Sequence, residues 1–217
     1  TRSPKEGATV FVLPFNRADK PAPTAAQEVA RGLAELDEKT LLFLSHIRTV
    51  TYELPDGRVG IVERTDVDDL VVSIKKSEHE GFIESRWLRL SGPASVDGEG
   101  PNALNVAVAF RMDQPKKRRS TRGRKSDQSG SRLSDAEQIV PVEDGDVSIY
   151  FPAVKESSGL RFHIHAPFAS TVARDSVRDD PGNVRLVNDI AALIVDALPR
   201  LRDQGLLDDS FLEVLPN

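Results

Sequence analysis

Apolar and polar positions along this chain fall into short segments, each with the period of one kind of secondary structure. The run "TVFVLPF", Thr9 to Phe15, is continuously β-branched and aromatic and is closed by proline, which predicts a buried strand. After the Pro/Ala-rich "NRADKPAP", the stretch Thr24 to Leu36 places Val29, Leu33 and Leu36 at helical spacing behind a threonine N-cap. "LLFLSHIRTVTYEL" passes from a compact apolar cluster into a strand, and Pro55-Asp56-Gly57 supplies the turn that returns "RVGIVER" as a hairpin. "LVVSIKKSE" and "GFIESRWLRLSG" read as two more strands, the second with Trp87 among alternating positions, and "NALNVAVAFRM" alternates over Leu104, Val106, Val108 and Phe110. The middle of the chain is therefore antiparallel sheet.

Strands resume with "VSIYFP", Val147 to Pro152, and with "GLRFHIHAPF", where Leu160, Phe162 and Ile164 alternate with Arg161, His163 and His165. A long helix follows. Asp179 and Asp180 lie at its positive end, Pro181 occupies its first turn, and Val187, Ile190, Ile194, Ala197, Leu198 and Leu201 form its apolar stripe. Pro199 is expected to kink or end the helix before "RLRDQG", with Gly205 as a C-terminal stop, and "DDSFLEVLPN" adds a short helical turn or strand led by Asp208 and Asp209. The predicted fold class is α+β: a mixed, largely antiparallel sheet packed by helices at the N- and C-terminal ends.

One stretch breaks the regularity. Gln114 to Gln138 carries Lys116, Lys117, Arg118, Arg119, Arg122, Arg124 and Lys125, followed by Ser, Gly and Asp, and offers nothing to a core; it is expected as a disordered basic loop inserted between strands. Clustered cations of this kind can also release phosphate counterions and so bind nucleic acid. Against that stand the lack of interleaved aromatics and a formal charge of −5 for the whole chain.

With 217 residues and 39% hydrophobic content the chain can bury a sizeable core. It has no cysteine, which removes disulfides, thiolate nucleophiles and cysteine-ligated metals, and a reducing cytoplasm fits this. No apolar run approaches the roughly 20 residues of a membrane span. The start "TRSPKEG" suggests a segment of something longer. His163 and His165 share one face of their strand about 7 Å apart, within reach of a common metal ion, but no third ligand stands at a suitable spacing. They are expected as polar-face residues, with no metal; His46 and His79 stand alone and are expected to be structural or on the surface.

The order of these segments resembles the region that follows the nucleotide pocket in GHKL ATPases, of the sacsin-like and plant NO VEIN-like types and, more remotely, the ninety-kilodalton heat-shock chaperones. Gly7 to Phe15 is similar to the family's closing strand, Gly-Thr-x-φ-x-Leu-Pro-φ with φ apolar, except that Ala8 stands between Gly7 and Thr9. "LLFLSHIRTV" resembles its Leu-Leu-Phe-Leu-x-x-Ile-Arg segment, and "APFASTVARD" its strand-to-loop segment ending in arginine plus an acid. The resemblance implies a closing strand of an upstream ATP-binding domain at 1–15, a middle or transducer domain at 16–113 and 139–217, and the loop at 114–138 between its two parts.

The family's Glu/Asn-bearing helix, its Asp-x-Gly-x-Gly turn and its glycine-rich lid have no counterpart here, and "DGEG", Asp97 to Gly100, has the spacing of a turn. The chain alone is thus expected to bind no cofactor and to hydrolyse no ATP, with ATP and Mg²⁺ held by the adjacent domain. The implied partners are that domain and a client protein; nucleic acid is the alternative, and a membrane is not expected. The resemblance also implies a role for Arg174, between the last strand and the acid-capped helix, as the arginine offered to the γ-phosphate. The other reading ties Arg174 in an ion pair with Asp175, Asp179 or Asp180. Arg161 and Arg178 are the next candidates.

Overall fold

The computed structural model describes residues 14–78, 81–95, 104–114 and 137–215. The strand expected at Thr9–Phe15 lies outside them except for Pro14 and Phe15, which have no regular structure; His79, Asp97–Gly100 and the basic cluster 116–125 also lie outside.

Helix α1, Ala22–Ala34, begins behind Pro21 rather than at Thr24. Prolines at 21 and 23 preset φ for a helix start, so Thr24 sits inside the first turn, and no side chain caps the end. A single 3₁₀ turn, Glu38–Leu41, follows, capped by Asp37 accepting from Lys39 N and Thr40 N. Next come β1 (Thr49–Glu53), β2 (Val59–Asp66), β3 (Val71–Glu78), β4 (Gly81–Pro93) and β5 (Asn105–Asp113). They form an antiparallel meander, and the first hairpin turns through Gly57 at φ +85°, a conformation that glycine adopts without a Cβ clash.

After β5 come β6 (Gln138–Val140), β7 (Asp146–Ile149), β8 (Phe151–Ser157), β9 (His163–His165), α2 (Pro181–Asp203) and α3 (Asp209–Leu212). Among the described residues nine strands form one sheet, in the order β1-β2-β3-β4-β5-β9-β7-β8, with β6 also on β5. Every pairing is antiparallel except that of β7 with β9. The α+β class and the largely antiparallel sheet with helices at both ends are as the sequence predicts.

Both faces of the middle of the sheet are covered. On one, α2 and α3 bring Leu186, Ile190, Leu201 and Phe211 against Leu88, Val108 and Phe110. On the other, Leu41–Leu44 lie on Val62, Ile74, Trp87, Ala107 and Ala109. β5 therefore buries Val106 to Phe110 without a break, where the alternation read from the sequence gave only one apolar face. Arg64 pins the second cover from below: it is 3% exposed, and its Nη1 donates to the carbonyls of Leu41 and Leu44.

Three local expectations are corrected. "VSIYFP" is not one strand, because the chain reverses at Tyr150, φ +70°, and β8 runs back along β7. α2 continues through Pro199 to Asp203. Pro199 and Val195 are both exposed, on the side of the helix where a carbonyl without its intrahelical donor can turn to solvent, and the helix runs on. The buried stripe of α2 runs through Leu186 and Ile190, and Val187 is 53% exposed. Asp180 does cap α2, accepting from Gly182 N at 2.8 Å, and Gly205 (φ +73°) ends the run with Leu206 N donating to Leu201 O.

Candidate functional site

Arg174 stands on a loop anchored at both ends. β9 leads into buried Ala166 and Phe168, and Ser170 then bridges Val177 in antiparallel fashion, closing the loop that carries Thr171 to Ser176. Within it Arg174 N donates to Thr171 O at 3.0 Å and Thr171 N to Ser176 O at 3.1 Å. The base is tied to the start of α2 through Asn183, whose Oδ1 accepts from Ala169 N and whose Nδ2 donates to Arg178 O. On the other flank β8 holds it: Lys155 N donates to Asp175 O at 3.0 Å, and Glu156 Oε1 accepts from Val177 N.

Two of the three acids that could have captured Arg174 are engaged elsewhere, and the third, Asp179, is exposed and makes no ion pair with it. Asp175 pairs with Lys155 Nζ at 2.5 Å and accepts from the Thr171 hydroxyl at 2.8 Å. Those two contacts, Lys155 first, hold its carboxyl below the usual carboxylate range. Asp180 is the cap of α2. No carboxylate among the described residues lies within salt-bridge distance of Arg174, which is exposed and rests over the Tyr150 ring, its guanidinium carbon 5.9 Å from the centroid. Arg161 reaches back to the Glu213 carbonyl at 3.4 Å, and Arg178 lends its main chain to the loop anchor.

The histidines on the neighbouring strand are not on a polar face. His163 and His165 are 3% and 6% exposed, because Leu41–Leu44 and Trp87 close over the side of β9 that the sequence leaves looking solvent-facing. His163 Nδ1 accepts from Asp146 N at 2.8 Å and its ring packs 4.9 Å from that of Trp87. His165 lies with Nδ1 3.2 Å from Ser148 O and stacks on Phe43 at 5.3 Å. Burial is the main cause that brings each down to about 4, so both are neutral at pH 7. Their Nδ1 atoms are committed to the backbone, and among the described residues no three metal-ligating side chains converge. His46 is exposed.

Two grooves lie elsewhere. One of about 490 Å³, beside the end of α1, is lined by Tyr52, Lys76, Glu78, Phe82 and Ile83, and its polar groups satisfy one another: Tyr52 OH donates to Glu78 at 3.1 Å and Lys76 pairs with Glu78 at 3.0 Å. The other, of about 1070 Å³, runs beside β6 and α3 between Arg111 and the acids Asp113, Asp208, Asp209 and Glu213. The cations of the nucleic-acid alternative, Lys116, Lys117, Arg118, Arg119, Arg122, Arg124 and Lys125, are outside the described residues.

Sequence reading singled out Arg174 but missed the residues that frame it, Tyr150 and Lys155. Pro152 was the available signal, since a proline inside a strand-like run marks an edge or an end rather than a through-going strand. No protein-family model matches the chain, and no curated protein or solved structure matches it.

Proposed function

We propose that this chain is a middle or transducer region working beside a GHKL-type ATP-binding domain, and that Arg174 is the group it offers to the γ-phosphate held there. The observation that carries the reading is the availability of that guanidinium: exposed, on a loop fixed to β8 and to α2, with the loop's own acid consumed by Lys155. An arginine on a rigid support, with no carboxylate partner among the described residues, keeps its fork of N–H donors for phosphate oxygens, which it meets always charged and bidentate. The chain relays closure of the neighbouring domain to a client protein, and ATP and Mg²⁺ stay in that domain.

The test uses the gene product that carries this chain together with its ATP-binding domain. Arg174→Ala is expected to slow ATP turnover by about tenfold or more with the melting temperature nearly unchanged, as loss of a transition-state phosphate contact does. Normal turnover would overturn the reading, and so would a natural gene product with no ATP-binding domain upstream of Thr1. The chain by itself, titrated with Mg-ATP in a calorimeter, is expected to give no heat of tight binding and to release no phosphate. Micromolar binding with steady turnover would place the nucleotide site within this chain instead.

A further inference from the structure

Among the described residues two that are not glycine have a positive φ: Tyr150 at 70° and Arg174 at 57°. They belong to different parts of the fold, the β7–β8 reversal and the loop after β9, and their side chains meet. A left-handed backbone at a residue with a bulky side chain is strained and persists only where its surroundings over-determine it, characteristically at functional sites. Glycine or asparagine at 150 would relieve the strain. What tyrosine supplies in exchange is a ring.

That ring is held from behind. It stands edge-on to His165, with centroids 5.5 Å apart at 63°, and His165 is stacked on Phe43 at 5.3 Å and 17°. Phe43, His165, Tyr150 and Arg174 thus form a column running from the buried cover of the sheet to the exposed loop. His165 is buried and neutral, so the ring behind Tyr150 adds no charge of its own, and Lys155 of β8, the cation paired with the loop, is neutralised by Asp175. A cation resting on a ring uses its flat face and leaves its edge donors free, whereas an ion pair would consume them.

On these grounds we infer that Tyr150 is the positioning residue for Arg174: its ring, fixed by a left-handed backbone against His165, orients the guanidinium so that its edge faces the phosphate of the neighbouring domain. This rests on the role of Arg174 proposed above. No hydrogen bond from the Tyr150 hydroxyl to a described residue is part of the arrangement, so the ring alone carries the effect.

The experiment compares Tyr150→Phe, Tyr150→Asn and Arg174→Ala in the gene product that carries the ATP-binding domain. Asparagine keeps the left-handed backbone and removes the ring, which separates positioning from folding. Tyr150→Phe is expected to retain the parent's turnover. Tyr150→Asn is expected to lower kcat by about three- to fivefold at unchanged KM for ATP, the factor that corresponds to an exposed cation–π contact. The double variant Tyr150→Asn/Arg174→Ala should be no slower than Arg174→Ala alone. In the 217-residue chain, the ring-current shift of the Arg174 Nε–H resonance should survive Tyr150→Phe and vanish in Tyr150→Asn, with the rest of the spectrum intact. If Arg174→Ala is slow while Tyr150→Asn turns over normally, the positioning role falls and the phosphate contact stands. Should Arg174→Ala itself be normal, both fall.

Discussion

Between about pH 6.5 and pH 4 the protein is expected to lose several kcal/mol of stability, most of it through His163 and His165. Each is held neutral in the fold and titrates at about 4, whereas in the unfolded chain a histidine titrates near 6.5. In that window the unfolded state binds protons that the folded state refuses, so stability falls as the pH falls; below about 4 both states are protonated and the loss stops growing. A displacement of this size corresponds to about 3 kcal/mol per histidine. Burial dominates in both. Around His163 the acids Asp146 and Asp37 and the cations Lys39 and Arg111 partly offset one another, while at His165 the Ser148 carbonyl opposes burial and Arg89 adds to it, so desolvation stays in command of both. Urea midpoints at pH 7.5, 6, 5 and 4 measure the slope. His165→Phe, which keeps a ring against Phe43 and removes the titrating group, should flatten it by about half. A stability that stays level from pH 7 to 4.5 would show that water reaches these rings.

Phe110→Ala is expected to cost about 3–5 kcal/mol at neutral pH, since it deletes a large aromatic group where little can collapse to fill the space. Phe110 is 1% exposed at the centre of β5, with Phe162 at 4.8 Å and Phe211 at 5.9 Å between ring centroids. It packs against the bend that leads into β9 and against α3, so the void opens where sheet and helix meet. For a chain of this length the corresponding fall in Tm is on the order of 10 °C. Urea unfolding of the variant gives the number directly. A loss below about 1.5 kcal/mol would mean that α3 moves inward and repacks.

The meander β1 to β5 was legible because each strand carries its own period and each turn its own chemistry, Pro55-Asp56-Gly57 above all. α2 was legible for the same reason, from the acids at its start to Gly205 at its end. What escaped depends on contacts far apart in sequence. His163 and His165 alternate with apolar residues as a solvent-facing pair would, and only the return of Leu41–Leu44 across that face buries them. Local pattern records that "LLFL" must be covered but not by what. The reversal at Tyr150 escaped because nothing in the side chain favours a positive φ; the conformation is imposed by β9 and His165. At the candidate site, Arg174 was reachable from sequence, while the choice between a free and a paired guanidinium was not. That choice turned on Lys155, from a different strand, taking Asp175.

β5 and β6 meet with Asp113 directly opposite Gln138. The chain that leaves the sheet at Gln114 thus re-enters beside its point of departure. β5 carries the pairing edge in the part of the chain before Gln114, and β6, β9 and α2 carry its complement in the part after Glu137. The surface by which the two parts of the chain recognise each other is thus the buried sheet itself, with β5 as the strand that both share.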